Sequence, residues 1–287
     1  MVRFGPSGNS QIFYDAGYKS TVEAPKWLSS VGLNAYEYSF GRGYNMSFET
    51  AEKIGAEAKQ YDIALSIHAP YYINFANIDD LMIEKSFSYI MRGYDYLKAM
   101  NGNKMVLHLA TQGKLNRNEA LLLTESRLDE CLKRIYDRNL QGYYLCPETM
   151  GKFSQIGSYQ EIIDLCAKDK ILIPTFDFGH INCILKGGLK SPDDYKKIFD
   201  YSFNKLGEFK TKNCHIHFSK IKFGEKGEIN HLDYDDKNFG PDFNHLAQVI
   251  FDYKLTPTVI CESSTKMAED ALTFKNIYNC VKIIDKI

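Results

Sequence analysis

Eight times along the chain, a short apolar run rich in β-branched or aromatic residues gives way to a longer stretch with apolar residues at i, i+3, i+4 and i+7. The strand-like runs start at Val2, Asn34, Ala64, Lys104, Gly142, Ile171, Asn213 and Pro257. Helical patterns such as "FETAEKIGAEAKQY", "LMIEKSFSYIMRGYDYLKAM" and "DFNHLAQVIFDY" separate them. Strands that alternate with helices form a parallel sheet with right-handed crossovers, and eight such units close into a (β/α)8 TIM barrel. The expectation is one α/β domain over residues 1–287, with the active site at the C-terminal ends of the strands. A doubly wound open sheet is the alternative. It would carry a Gly-rich phosphate turn after the first strand, and "FGPSGNS" lacks that spacing.

Composition narrows the class. The chain is 44% hydrophobic and 25% charged, enough apolar residue for a large core. A net charge of −1 offers no basic footprint for nucleic acid, although each bound divalent metal would add two positive charges where they count. Seven cysteines are scattered without a C-x-x-C pair, which points to free thiols in a reducing cytosol. "MVRFGPSGNS" has no signal-peptide core, and no apolar run approaches membrane-spanning length. A soluble cytoplasmic protein with no membrane partner is expected.

Side chains at the C-terminal strand ends of a barrel face the active site. Those ends read His68, His108, Glu148, Asp177 with His180, His215 and His217, and Glu262. The two remaining histidines are His231, in the loop after strand seven, and His245, in the next helix. Three carboxylates converging on one mouth would repel each other and lose hydration, at several kcal/mol per buried charge. Divalent cations remove that penalty. Neutral imidazoles together with carboxylates are the ligand set of Zn2+, with Mn2+ or Fe2+ as alternatives.

The segments "SIHAPYYINF", "LHLA", "PETMGK", "DFGHINC", "HFSK" and "ICESS", in this order and spacing, resemble the endonuclease IV family of the xylose-isomerase-like barrels. The resemblance runs over nearly the whole chain. It implies an apurinic/apyrimidinic endonuclease with three Zn2+ per chain, Mn2+ or Fe2+ being possible at one site. By that resemblance His68, His108 and Glu148 hold the first metal. Glu148 bridges to the second, completed by Asp177, His217 and Glu262. His180 serves the third with His231 and an acid. His217 matches the family's histidine because it stands directly before "FSK"; His215 lies on the same barrel-facing side. Two departures stand out. The family's Asp-x-His is replaced by "GEINHLDYDD", which leaves the acid open among Glu228, Asp233 and Asp235. The family's DNA-penetrating loop after strand two is here "SFGRGYNMSF", in which Arg42 can supply only the charge.

The implied substrate is damaged double-stranded DNA, cut 5′ to an abasic site to leave a 3′-hydroxyl. Glu148 is the expected catalytic residue, positioned to bridge the metals and assist the nucleophile. Tyr71, Arg42, Lys152 and Lys220 are the expected DNA contacts, with Lys114 and Lys222 nearby. No protein partner is implied, and a monomer is expected. The competing reading is a metal-dependent sugar isomerase or epimerase on the same barrel, which Glu148, Asp177, His217 and Glu262 alone would furnish, with Glu37 as an extra acid. Near-neutral charge and the altered second loop favour the isomerase. The surplus histidines favour the endonuclease. A non-enzymatic metal-dependent sensor is a third, weaker reading, and fold alone chooses among none of these.

Overall fold

A computed structural model describes residues 1–284. Eight parallel strands ring its centre: β1 Arg3–Pro6, β2 Ala35–Ser39, β3 Ala64–His68, β4 Lys104–Leu107, β5 Tyr144–Pro147, β6 Thr175–Asp177, β7 His215–Phe218 and β8 Thr258–Cys261. Two four-stranded arcs make the ring, one ordered β2-β3-β4-β5 and the other β1-β8-β7-β6. Isolated parallel bridges close it: Ser7 to Glu37 on one side, Leu145 to Leu172 and Glu148 to Thr175 on the other. This is the barrel expected from the alternation, an α/β fold on an eight-stranded parallel sheet.

Helices begin where side chains can satisfy their first free N–H groups. Ser47, Asp79, Asn116, Ser158 and Asp242 each cap the helix that follows them. Outward-facing strand residues such as Tyr36, Ile67, Leu107, Ile216 and Val259 pack with the helices into the main apolar core. The lumen is different. Val106, Cys146 and Ile173 form a small separate apolar cluster, and the rest of that space holds buried polar groups, among them Glu37, Ser66, Lys104 and His215. Register explains their meeting: Glu37 pairs with Ser66, and Ser66 with Lys104, across adjacent parallel strands, so all three share one face and one level. Among the described residues no helix is long and apolar enough to cross a membrane, and the seven cysteines are unpaired, six of them buried.

Two local features differ from the sequence reading. The run "ILIPTFDF" forms a ladder only over Thr175–Asp177, because Pro174 has no N–H to give. Directly after it, Phe178–Ile184 is helical, and Asp177 caps this helix by accepting the His180 N–H at 2.7 Å. Gly179 therefore sits in the first turn of this helix. What demands glycine there is space: a Cβ would lie 2.7 Å from the Ser219 carbonyl oxygen and 2.8 Å from the Ile221 side chain. Likewise, the expected loop after β7 is an antiparallel hairpin, Lys220–Gly224 against Gly227–Leu232. It rests on that glycine. Gly179→Ala should force the hairpin away and cost about 1–3 kcal/mol, seen as a lowered Tm in calorimetry; an unchanged Tm would mean that the hairpin retreats freely.

Candidate metal centre

Glu148 follows β5 and is buried at the centre of the barrel mouth. Its Oε2 faces the Nε2 atoms of His68 and His108, both at 3.1 Å. Its Oε1 faces Nδ1 of His217 at 3.2 Å and Nδ1 of His180 at 3.5 Å. His68 ends β3, His108 follows β4, Asp177 ends β6, His217 lies within β7 and Glu262 follows β8. The candidate ligands gather into three neighbouring groups: His68, His108 and Glu148; Glu148, Asp177, His217 and Glu262; and His180, Glu228 and His231. Within each, the donor atoms lie within 4.8 Å of one another. A fourth group, Glu37, His215 and His217, lies deeper in the lumen.

Tautomers test whether these groups suit a cation. His68 Nδ1 stands 2.8 Å from the Ala69 carbonyl, and His180 Nδ1 stands 2.9 Å from that of Thr149. A carbonyl only accepts, so those nitrogens carry the hydrogen. In a neutral ring the opposite Nε2 is then a lone pair. For His68 it faces Glu148 Oε2 at 3.1 Å, and for His180 it faces Glu228 Oε2 at 3.4 Å. Lone pairs set against carboxylates repel unless a positive charge stands between them. Asp177 Oδ2 points the same way: it is buried and has no hydrogen-bond partner, and burial raises the Asp177 pKa despite His180 nearby. The separations of 3.1–3.5 Å around Glu148 resemble the roughly 3.3 Å edge of a tetrahedron with metal bonds of about 2.0 Å. The donor set fits divalent ions, and each of the three groups is capable of coordinating one.

Without an ion, protons must do that work. Burial opposes charge on His180 and His217, yet Asp177, Glu148 and Glu228 around the first, and Glu262, Glu37 and Glu148 around the second, lift both well above the ordinary imidazole value. Burial alone would raise Glu148, but His217 and His108 hold it well below the usual carboxylate range. Glu262 is likewise held at about 2, burial being outweighed by His217.

The third group depends on an irregularity. In a strand, residues two apart share a face and residues three apart do not. Glu228 and His231 are three apart. The hairpin register shifts between Lys222 and Phe223, so that Ile229 has no opposite partner. This bulge turns Glu228 and His231 to the same side, where Glu228 Oε2 lies 3.4 Å from His180 Nε2 and the His231 ring lies 5.5 Å from the His180 ring, centroid to centroid. Gly151 leaves room for the assembly: a Cβ there would lie 2.6 Å from the His180 ring and 3.0 Å from Glu228. Among the three acids open from sequence, Glu228 is the one beside His180. Asp233 instead binds Thr265 and the Lys266 N–H, and Asp235 pairs with Lys266.

The groups line an open bowl of about 580 Å3. Tyr71 and Lys152 lie on its wall, Tyr71 stacked on His108 at 5.2 Å between ring centroids. Gln155, Ser39 and Ser263 also line it; nothing in their spacing singled them out, because they become neighbours only through barrel closure. Arg42 is outside the wall. Lys220 turns its ammonium to the Asp236 carbonyl and over the Tyr234 ring, 5.0 Å from its centroid. His215 lies below the bowl, bonded to Glu37 at 2.9 Å.

Comparison with known proteins gives the frame. The model of the xylose isomerase-like TIM barrel family matches residues 25–276. An uncharacterized protein of Methanocaldococcus jannaschii is 31% identical over 274 residues, which is 93% of this chain and 97% of that protein. Among solved structures, a D-tagatose 3-epimerase-like protein superposes with a TM-score of 0.70 at 18% identity, covering 93% of this chain and 94% of that one. Endonuclease IV from Thermus thermophilus does so with 0.65 at 14% identity, covering 93% and 95%. At such identities the likeness to solved structures is one of fold.

Ligand imidazoles must surrender their protons to a metal. With His180 and His217 charged in ion-free protein, adding Zn2+ at pH 7 in weak buffer should release about two protons per chain. A pH-indicator dye reads this directly, and no release would remove these rings from the ligand set.

Proposed function

The chain belongs to the xylose isomerase-like TIM barrel family, and from that premise we propose that it hydrolyses a phosphodiester with three divalent ions, the bond 5′ to an abasic site in DNA being the leading substrate. The observation that carries this reading is the set of three adjoining ligand groups, two of which share Glu148. A one-metal enzyme has no use for His68, His108, Glu228 and His231.

His68, His108 and Glu148 would hold the first ion, Glu148, Asp177, His217 and Glu262 the second, and His180, Glu228 and His231 the third. When bound, such ions orient a phosphodiester, supply a nucleophile near neutral pH and offset charge on the leaving oxygen. Glu148 belongs to two groups and so spaces and neutralises them together. Lys152 and Gln155 on the wall offer donors to a phosphate, and Tyr71 offers a ring face to a sugar or base. A bowl of this depth admits the reacting nucleotide only when it has left the duplex stack. Arg42 and Lys220 remain candidate contacts to the DNA flanks.

A second reading, a sugar epimerase, is supported by the quartet Glu148, Asp177, His217 and Glu262, which is complete by itself and would place three carboxylates beside one ion. Several structural relatives are sugar epimerases, and by fold alone the balance leans to them. Lys152 as the one lysine or arginine on the bowl wall among the described residues also suits a small neutral substrate better than DNA.

The deciding experiment offers metal-loaded protein a duplex with one abasic site and, separately, a panel of ketoses in D2O. A nick with a 3′-hydroxyl supports hydrolysis. A β-elimination product, or no nick together with deuterium entering a sugar, overturns it. Glu148→Gln should cost about 10³-fold or more in turnover, measured under saturating substrate; a near wild-type rate takes Glu148 out of the mechanism. His231→Ala should stay folded while bound metal falls from about three to about two per chain, since one ligand set is broken. Elemental analysis checks this, and three ions retained would make His231 an ordinary hairpin residue.

A further inference from the structure

Beneath the metal centre the lumen holds a second carboxylate, Glu37, which none of the steps above uses. It is fully buried, as are His215 and His217. Glu37 Oε2 is taken by the Ser66 hydroxyl at 2.7 Å and by His215 Nε2 at 2.9 Å. Its other oxygen, Oε1, stands 2.9 Å from His217 Nε2 as an ion-pair contact, and neither atom makes a hydrogen bond to any other group. The same imidazole turns its Nδ1 to Glu148 at 3.2 Å and Glu262 at 3.4 Å. His217 is thus gripped from both ends across the barrel lumen.

We propose that Glu37 is a positioning residue for His217: it holds the Nε2–H, so that Nδ1 alone presents its lone pair to the Glu148, Asp177 and Glu262 carboxylates. This rests on the reading that the quartet holds a divalent ion. The alternative, an ion inside the Glu37, His215 and His217 group itself, is disfavoured by spacing. The contacts to Glu37 are 2.9 Å, the one from His215 a hydrogen bond, and both are shorter than the roughly 3.3 Å between ligands on one tetrahedral ion. A carboxylate behind a ligating imidazole fixes its ring and raises its basicity. The Ser66 hydroxyl in turn holds the carboxylate by its other oxygen.

The test uses metal affinity and needs no substrate. Co2+ is titrated into ion-free protein against a chelator of known affinity. Glu37→Gln should weaken one site by about 10–100-fold. His215→Gln, which changes a neighbour on the other carboxylate oxygen, should leave all sites close to wild type. Unchanged affinity in Glu37→Gln overturns the proposal. Equal losses in both variants also overturn it, since Glu37 would then only fill space. Should Glu37→Gln fail to fold, long-range 1H–15N correlation on Zn2+-loaded wild-type protein decides: the proton of His217 must be on Nε2, and a proton on Nδ1 refutes the assignment. Wild-type protein that takes up no divalent ion would sink the metal reading itself. An ion bound without DNA cleavage sinks the hydrolase and leaves Glu37 in place.

Discussion

Two oxygens of one buried carboxylate face four imidazoles, and the geometry of the mouth follows from that crowding. Glu148 approaches His68, His108, His180 and His217 from four different parts of the barrel. Glu148, His68, His180 and His217 are all buried and cannot turn to solvent. A carboxylate so placed would be costly if the rings were apolar, because removing one partner of a buried pair leaves the other uncompensated. Protons on His180 and His217, or cations among the groups, offset that charge. The Ala69 and Thr149 carbonyls and the Tyr71 ring hold three of these imidazoles in place.

Support comes from below as well as from the sides. A barrel lumen usually fills with branched aliphatic side chains. Here one part does, with Val106, Cys146 and Ile173. The other part is polar, with Glu37 spanning to β7 and Lys104 reaching the Asn213 and Cys214 carbonyls. A polar lumen gives up some apolar burial. It gains directional contacts, and these hold a side chain to an angle better than dispersion does.

Much of this was legible in the sequence because barrels convert order into space. Period-two and period-3.6 patterns located the strands and helices, and the strand ends then named His68, His108, Glu148, Asp177, His217 and Glu262 as neighbours. The hairpin was not legible in the same way. "KIKFGEKGEINHL" has a glycine-flanked turn, but the bulge at Ile229 breaks the alternation that would have marked Glu228 and His231 as one face. Three acids stayed open for that reason. Gly179 is silent in sequence for a related cause: it marks the contact of two elements distant in sequence. Such contacts leave no local trace.

The closure of the barrel by isolated bridges gives the three ligand groups different standing. Every residue of the first group, His68, His108 and Glu148, comes from the half carrying β2 to β5. Every residue of the third, His180, Glu228 and His231, comes from the other half or the hairpin that follows it. The middle group alone straddles the join, with Glu148 from one half and Asp177, His217 and Glu262 from the other. An ion there would be a clasp across the seam where the backbone ladder is thinnest. The outer two ions would tidy the halves they sit on. The central one would reinforce the few backbone bridges that already close the ring there, so that a loss of that ion would be felt in the stiffness of the seam as well as in the site.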